Sequence, residues 1–218
     1  MVKQLLVFDM DGVLVDVSES YRETIVRTVE HFTGYQITRG RIQDYKNSGG
    51  WNNDWALSQK ICADLGVEVD YPTVVAYFNE LFLNQGLIHR ERWLPRNGFF
   101  ETLLKRFDLA IFTGRNQREA GVTLQRECCG DHFCMIVSSD DVENGKPHPE
   151  GLLKIAARHP GKRLLYVGDT VDDARSASAA NVPFIGVVGL ETPGRDAVVN
   201  LLQQEGAIQV LSDINEIC

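Results

Sequence analysis

Two aspartates near the start of the chain, Asp9 and Asp11, have side chains that can take part in catalysis and a spacing that can bring them together. In extended backbone, a spacing of two places both side chains on the same face. Two carboxylates there repel each other unless a cation or a shared proton compensates their charge. Gly12 then allows the backbone to turn where a side chain would obstruct it. The pair therefore fits metal-assisted nucleophilic chemistry, and the alternative is a solvated acidic turn.

The strand that must present these aspartates is short. Leu5–Phe8 is an apolar run typical of a buried strand, and the next evident one is Leu109–Phe112. Between them, apolar residues recur at helical spacing, and glycines follow several of these helical stretches. We therefore predict an α-helical cap domain at 18–94, inserted into a core domain formed by residues 1–17 and 95–218.

After this insertion, strands and helices alternate. Apolar runs at 135–137, 164–167 and 183–188 are predicted strands. Helices are predicted at about 99–107, 117–127, 149–158, 172–180 and 194–205. This βαβ alternation predicts an α/β fold with a doubly wound parallel sheet. Ligands bind at the carboxyl ends of the strands in such sheets, where Thr113–Arg115 and Gly168–Asp169 are expected beside the aspartate pair.

Four motifs in this order resemble those of the haloacid dehalogenase superfamily, in its phosphatase branch. They are Asp9-Met10-Asp11-Gly12-Val13, Thr113-Gly114-Arg115, Lys146-Pro147 and Gly168-Asp169-Thr170-Val171-Asp172-Asp173. The resemblance covers the predicted core, and the helical insertion lies where the phosphoglycolate phosphatase and β-phosphoglucomutase-like group places its cap. It implies a Rossmann-like core and a phosphoric monoester hydrolase acting on a small phosphorylated metabolite.

The resemblance also implies a role for each side chain in the reaction. Asp9 would attack phosphorus in line and form an aspartyl-phosphate intermediate. Asp11 would protonate the leaving oxygen and then accept a proton from the hydrolytic water. Thr113, with Gly114 beside it, would bind a phosphoryl oxygen. Lys146 would neutralise charge on the phosphate and on the nucleophile.

A Mg²⁺ site made of oxygen ligands is implied by the same resemblance. Its ligands would be the Asp9 carboxylate, the backbone carbonyl of Asp11, Asp169 and, four residues further on, Asp173. Asp172 is an additional carboxylate in this motif. If Asp172 has no role at the site, its negative charge would instead stabilise the N-terminus of the following helix.

Arg115 departs from many capped relatives, which carry an uncharged residue at this position. An arginine here either binds an anionic part of the substrate bidentately or pairs with an acid such as Glu119, and the sequence leaves both open.

One segment of the insertion, residues 46–53, has the composition of a binding loop. It combines Lys46, Trp51 and Asn52 with two glycines, so we expect contacts with the substrate there. The alternative is a capped turn before a helix, with Trp55 in the core.

Other activities remain open at this stage. A phosphosugar mutase of the same fold would need a cap that excludes water and rebinds the intermediate. A phosphonate hydrolase would need a Schiff-base lysine, for which the cap offers only Lys46 and Lys60. Loss of halide would not need an acid such as Asp11. A non-catalytic phosphate-binding regulatory protein would not need the full set of motifs.

Composition argues against several other classes of protein. The net charge of -8 disfavours nucleic acid as a partner, because phosphate backbones require a basic face. No apolar run approaches the length of a membrane span, and the first predicted strand leaves no room for a signal peptide. We therefore expect a cytoplasmic monomer or homodimer.

The five cysteines are odd in number and irregular in spacing, which fits a reducing compartment rather than a disulfide framework. Cys128, Cys129, His132 and Cys134 are close enough in sequence to raise zinc binding, but they lack a C-x-x-C pair. The alternative is that they are ordinary semi-buried thiols in the connection between the end of a helix and the next strand.

Overall fold

The computed structural model describes residues 4–217. The chain divides into two compact units: one contains the chain through Val15 and again from Trp93 onward, and the other contains Asp16–Arg92. These divisions lie within two residues of the predicted domain boundaries. The assignment of the units as a catalytic core and a cap stays a prediction.

The first unit is built on a parallel sheet. The strands of the chain are β1 Gln4–Phe8, β2 Val15–Asp16, β3 Arg92–Trp93, β4 Phe107–Phe112, β5 Phe133–Val137, β6 Leu164–Gly168, β7 Phe184–Val187 and β8 Gln209–Leu211. Six of them form one sheet in the order β5-β4-β1-β6-β7-β8, with every adjacent pair parallel. β2 and β3 pair separately. The sheet confirms the predicted doubly wound α/β class.

Helices connect these strands and also form most of the second unit. They are α1 Tyr21–Thr33, α2 Arg39–Ser48, α3 Asp54–Asp64, α4 Tyr71–Asn79, α5 Phe99–Leu103, α6 Gln117–Arg126, α7 Glu150–Arg158, α8 Val171–Ala179 and α9 Arg195–Gln204. In the second unit, α1 and α3 contribute the buried residues Ile25 and Ile61, and Phe78 of α4 is fully buried. No helix between residues 4 and 217 is long and apolar enough to cross a membrane.

The apolar character of β1 follows from its central place in the sheet. β1 pairs with β4 on one side and with β6 on the other, and Leu5–Phe8 are completely buried. Strands of parallel sheets are buried on both faces and therefore lack a polar alternation. Leu5 and Val7 belong to one core cluster with Leu152 of α7 and Leu202 of α9. This packing fixes the strand whose end carries Asp9.

Some element boundaries differ from the prediction. The helix expected at 99–107 ends at Leu103, and β4 begins at Phe107, where Gln4 and Leu5 pair with Phe107 and Asp108. The sixth strand of the sheet, β8, was not predicted. It has only three residues and starts with the exposed Gln209, so it is too short to show a strand pattern. Pairing with β7 defines it, and pairing is a long-range property.

Candidate active site

The carboxyl ends of three neighbouring strands bring the predicted residues together. Asp9 follows β1, Thr113 follows β4 and Asp169 follows β6, and β1 lies between the other two strands. The Asp9 amide donates a hydrogen bond to the Val167 carbonyl at 2.8 Å, and the Thr113 amide donates to Val137 at 2.9 Å. The strand ends therefore continue the hydrogen-bonding of the sheet up to the site residues.

The turn after Asp9 is tight and depends on glycine. The Met10 carbonyl accepts hydrogen bonds from the amides of Leu14 and Val15, both at 2.9 Å. Gly12 has a φ of 75°, and a Cβ there would lie 2.0 Å from Oδ2 of Asp169. An L-residue would be strained in this conformation and would displace the carboxylate. Glycine thus allows the turn and the end of β6 to approach each other.

Lys146 supplies positive charge to the interior of the site. Its side chain is almost completely buried, with Nζ 2.8 Å from Oδ1 of Asp9 and 2.7 Å from Oδ1 of Asp173. The ammonium also lies 4.9 Å from the centre of the Phe112 ring and 5.5 Å from that of Tyr166. Carboxylates and aromatic faces both attract a desolvated cation. Lys146 is therefore held between the nucleophile candidate and the start of α8.

Asp173 is held by a network of hydrogen bonds. Its Oδ2 accepts from the amide and the hydroxyl of Thr170, which forms a capping box at the N-terminus of α8. Its Oδ1 accepts from the Tyr166 hydroxyl at 2.6 Å. Sequence reasoning missed Tyr166, although a tyrosine within an apolar central strand is itself a signal, because a buried hydroxyl needs a partner.

Burial and charge shift the pKa values of this cluster. Burial raises the pKa of Asp9 to about 7, against the opposing effect of Lys146. For Lys146, burial favours the neutral amine, but Asp173 and Asp9 outweigh it and hold its pKa above the ordinary value. For Asp173, burial is likewise outweighed, chiefly by Lys146, and its pKa is lowered. Lys146 therefore stabilises the ionised form of Asp173 more than that of Asp9.

The carboxylates suit a hard cation. Asp9, Asp169 and Asp173 each offer an oxygen within 4.8 Å of the others, and no other such group of three occurs between residues 4 and 217. Oxygen ligands of this kind fit Mg²⁺, and the Cβ that Gly12 lacks would fill the space beside Asp169. Asp173 already accepts hydrogen bonds at both oxygens, so we propose that it chiefly anchors Lys146. Its role as a ligand stays a prediction, as does that of the Asp11 carbonyl.

Arg115 has a partner that sequence reasoning did not anticipate. Its Nε and Nη2 contact the same oxygen, Oδ1 of Asp11, at 2.8 and 2.5 Å, and Nη1 donates to Oγ1 of Thr123 at 2.8 Å. The Arg115 amide donates to Oγ1 of Thr113. The sequence left open an anionic substrate group or an acid such as Glu119; Asp11 is an acid, but it was not singled out as the partner. Gly114, between these residues, is exposed.

The cap residues singled out from sequence lie in the second unit and have local partners. Nζ of Lys46 forms an ion pair with Asp54 at 2.6 Å, and both side chains are largely buried. The Trp51 ring packs edge-on against Tyr45 at 5.9 Å. Asn52 is half-buried. Their contact with substrate stays a prediction.

The remaining candidates are accounted for structurally. Asp172 is buried and lies in the first turn of α8, where its charge is favourable at the N-terminus of the helix. Cys129 is buried, whereas Cys128 and Cys134 are exposed. Within the described residues, these cysteines and His132 do not form a cluster of potential metal ligands.

Comparison with known proteins identifies the family of this chain. A family model for haloacid dehalogenase-like hydrolases matches residues 6–187. The chain belongs to this family. The match runs from β1 to β7 and so includes all four motifs, which confirms the resemblance seen in the sequence.

Individual relatives match different portions of the chain. Imidazoleglycerol-phosphate dehydratase of Phytophthora nicotianae is 32% identical over 229 residues, which cover 96% of this chain and 50% of the relative. The chain thus spans about half the length of that protein. Phosphoglycolate phosphatase of Salmonella paratyphi A is 41% identical over 58 residues, covering 26% of this chain and 23% of the relative.

A solved structure extends the comparison to the whole fold. It is a haloacid dehalogenase-like protein of unknown function from Agrobacterium tumefaciens, which is 20% identical with a TM-score of 0.78. The superposition covers 99% of this chain and 96% of that chain. At this identity the likeness concerns the fold alone.

Proposed function

We propose that this protein is a Mg²⁺-dependent phosphomonoesterase that acts on a small phosphorylated metabolite. The observation that carries the proposal is the buried contact of Lys146 with Asp9, at 2.8 Å, beside Asp169 at the end of the sheet. A nucleophilic carboxylate next to a fixed cation is what in-line attack on an anionic phosphate ester requires. Family membership supports the same reaction class.

The chain's own side chains divide the work in this proposal. Asp9 attacks phosphorus and becomes an acyl phosphate, while Asp11 gives a proton to the departing ester oxygen. Asp11 then takes a proton from the water that attacks phosphorus and restores Asp9. Lys146 balances the charge on the phosphoryl group and the nucleophile, and Thr113 donates its hydroxyl proton to a phosphoryl oxygen. A bound Mg²⁺, held by Asp9 and Asp169, would supply Lewis-acid stabilisation of the phosphoryl oxygens.

The relatives suggest where to look for the substrate. One relative is named for phosphoglycolate and another for imidazoleglycerol phosphate, and both compounds are small phosphate monoesters. We propose a substrate of this chemical class, used in the compartment that the sequence predicts, the cytoplasm.

Release of inorganic phosphate tests the proposal directly. The protein is assayed with p-nitrophenyl phosphate and with a panel of small phosphate monoesters that includes phosphoglycolate and imidazoleglycerol phosphate. We expect turnover with Mg²⁺ and loss of turnover with EDTA, restored by excess Mg²⁺. Turnover that is indifferent to EDTA would contradict the metal requirement, and no turnover of any ester would contradict the phosphatase.

A further inference from the structure

The side chain of Arg115 is entirely removed from solvent, whereas that of Asp11 is 31% exposed. Two guanidinium nitrogens of Arg115 donate to Oδ1 of Asp11, and the third donates to the hydroxyl of Thr123 in α6. A guanidinium presents its N–H groups in a rigid plane, so two contacts to one carboxylate restrict the rotation of that carboxylate. The buried partner is thus arranged to orient the exposed one.

Recruitment of Arg115 to a substrate anion would be costly. The guanidinium would have to leave a partner at 2.5 Å and abandon the hydroxyl of Thr123. Separation of a buried guanidinium from its carboxylate partner is strongly destabilising, so a substrate anion would first have to replace contacts that Asp11 and Thr123 already supply. The observed contacts therefore favour an internal role for this side chain.

We infer that Arg115 is a positioning residue, which fixes Oδ1 of Asp11 so that Oδ2 is directed to the reacting phosphate ester. The inference rests on the proposed phosphatase function. When the P–O bond to the leaving group breaks, the ester oxygen takes the proton carried by Oδ2. The resulting carboxylate, still paired with Arg115, takes a proton back from the attacking water. Arg115 is buried and acts through Asp11.

Two substrates of nearly equal size distinguish a positioning role of Arg115 from a role in substrate binding or general structure. Phenyl phosphate releases a basic phenolate, which needs a proton, whereas p-nitrophenyl phosphate releases a weakly basic anion, which does not. A positioned general acid contributes on the order of 10²- to 10⁴-fold. For Arg115→Gln we expect kcat/KM to fall at least about 100-fold with phenyl phosphate and less than about 5-fold with p-nitrophenyl phosphate.

Three further variants keep the test decisive. Asp11→Asn should show the same selective loss, and adding Arg115→Gln to it should cause little further loss, because residues that act as one unit are not additive. Thr123→Val removes the anchor of Nη1 and should give a smaller loss of the same selectivity. Arg115→Lys keeps the charge without the planar fork, so it should lie between wild type and Arg115→Gln.

The outcomes are distinct. Equal losses of kcat/KM on both esters, with a correct fold by circular dichroism, would overturn the inference in favour of a role in substrate binding or general structure. No loss on either ester would overturn it too, because Arg115 would then not contribute to catalysis. If Arg115→Gln does not fold, Thr123→Val and Arg115→Lys carry the same comparison. A wild-type protein that hydrolyses neither ester with Mg²⁺ would instead overturn the phosphatase proposal, and the inference with it.

Discussion

The balance of charge around Asp9 determines much of what the residues of the site can do. Asp9 and Asp173 share one ammonium group, and Asp169 adds a third carboxylate to the same cluster. Burial removes the water that would otherwise solvate these groups, so the pKa of Asp9 rises to about 7. A further cation would favour the ionised, nucleophilic form.

The nucleophile is tested by Asp9→Asn. We expect phosphate release to fall at least about 10⁴-fold, because the amide cannot attack phosphorus and loss of the carboxylate removes the covalent route. Borohydride added during turnover of the wild type should reduce the acyl phosphate and convert Asp9 to homoserine, detected by mass spectrometry. Substantial activity in the variant, or no modification of Asp9, would contradict the assignment.

The same substitution has a consequence for stability in the absence of metal. The folded protein binds a proton at Asp9 more tightly than the unfolded chain, whose pKa is near 3.8. Ionisation of Asp9 therefore costs stability progressively as pH rises from about 4 to about 7. In EDTA, Asp9→Asn should melt above the wild type at pH 8 and approach it near pH 4. A difference in Tm that does not change with pH would contradict this.

Removal of a proposed ligand tests the metal site. Asp169→Ala should weaken activation by Mg²⁺ at least about tenfold, because a site built from few carboxylates loses a charged donor. The measurement is the Mg²⁺ concentration for half-maximal phosphate release, supported by calorimetric titration of the protein with Mg²⁺. An unchanged Mg²⁺ dependence would move the metal away from Asp169.

At the scale of elements, small residues decide how closely helices approach the sheet. Gly151 lies in the first turn of α7, and a Cβ there would come within 2.1 Å of the Phe112 ring in β4. Gly121 lies in α6, where a Cβ would meet no atom within 4 Å. The two glycines therefore form a matched pair, one packed and one open.

Substitution of both glycines by alanine should have opposite effects. Gly151→Ala should destabilise by about 1–3 kcal/mol through overpacking against the strand that precedes Thr113. Gly121→Ala should stabilise by about 0.5–1 kcal/mol, since alanine is the better helix former. Urea denaturation measures both free energies of unfolding. If Gly151→Ala were as stable as wild type, the close packing of α7 on β4 would be wrong.

For the whole molecule, the division into two units predicts a division of labour between chemistry and selectivity. Trp51→Ala in the second unit should lower kcat/KM for the true metabolite by about 10- to 100-fold, equivalent to one or two lost contacts. The same variant should hydrolyse p-nitrophenyl phosphate nearly as fast as the wild type. Equal loss on both substrates, with folding confirmed by circular dichroism, would assign Trp51 to structure instead.

Order along the chain was enough to predict the architecture. Leu5–Phe8 is an apolar run followed directly by Asp9, and Leu164–Val167 is one followed by Gly168 and Asp169, so both patterns can be read from the sequence. Parallel strands carry their polar residues to one edge, so the proximity of Asp9, Thr113 and Asp169 could be expected before the structure. The edge strand Gln209–Leu211 could not, because it has too few residues for a pattern.

Pairing among the site residues was decided only by tertiary structure. The sequence by itself determined which residue types meet at the edge of the sheet, since the order of the strands along the chain and the polar residues that follow each strand can be read from it. It did not determine that Arg115 would contact Asp11, 104 residues away, or that Tyr166 would bind Asp173. A long side chain reaches several partners with similar cost, and its choice depends on which neighbour is buried beside it with a matching charge or hydroxyl. Burial of that kind exists only once the strands and helices have packed.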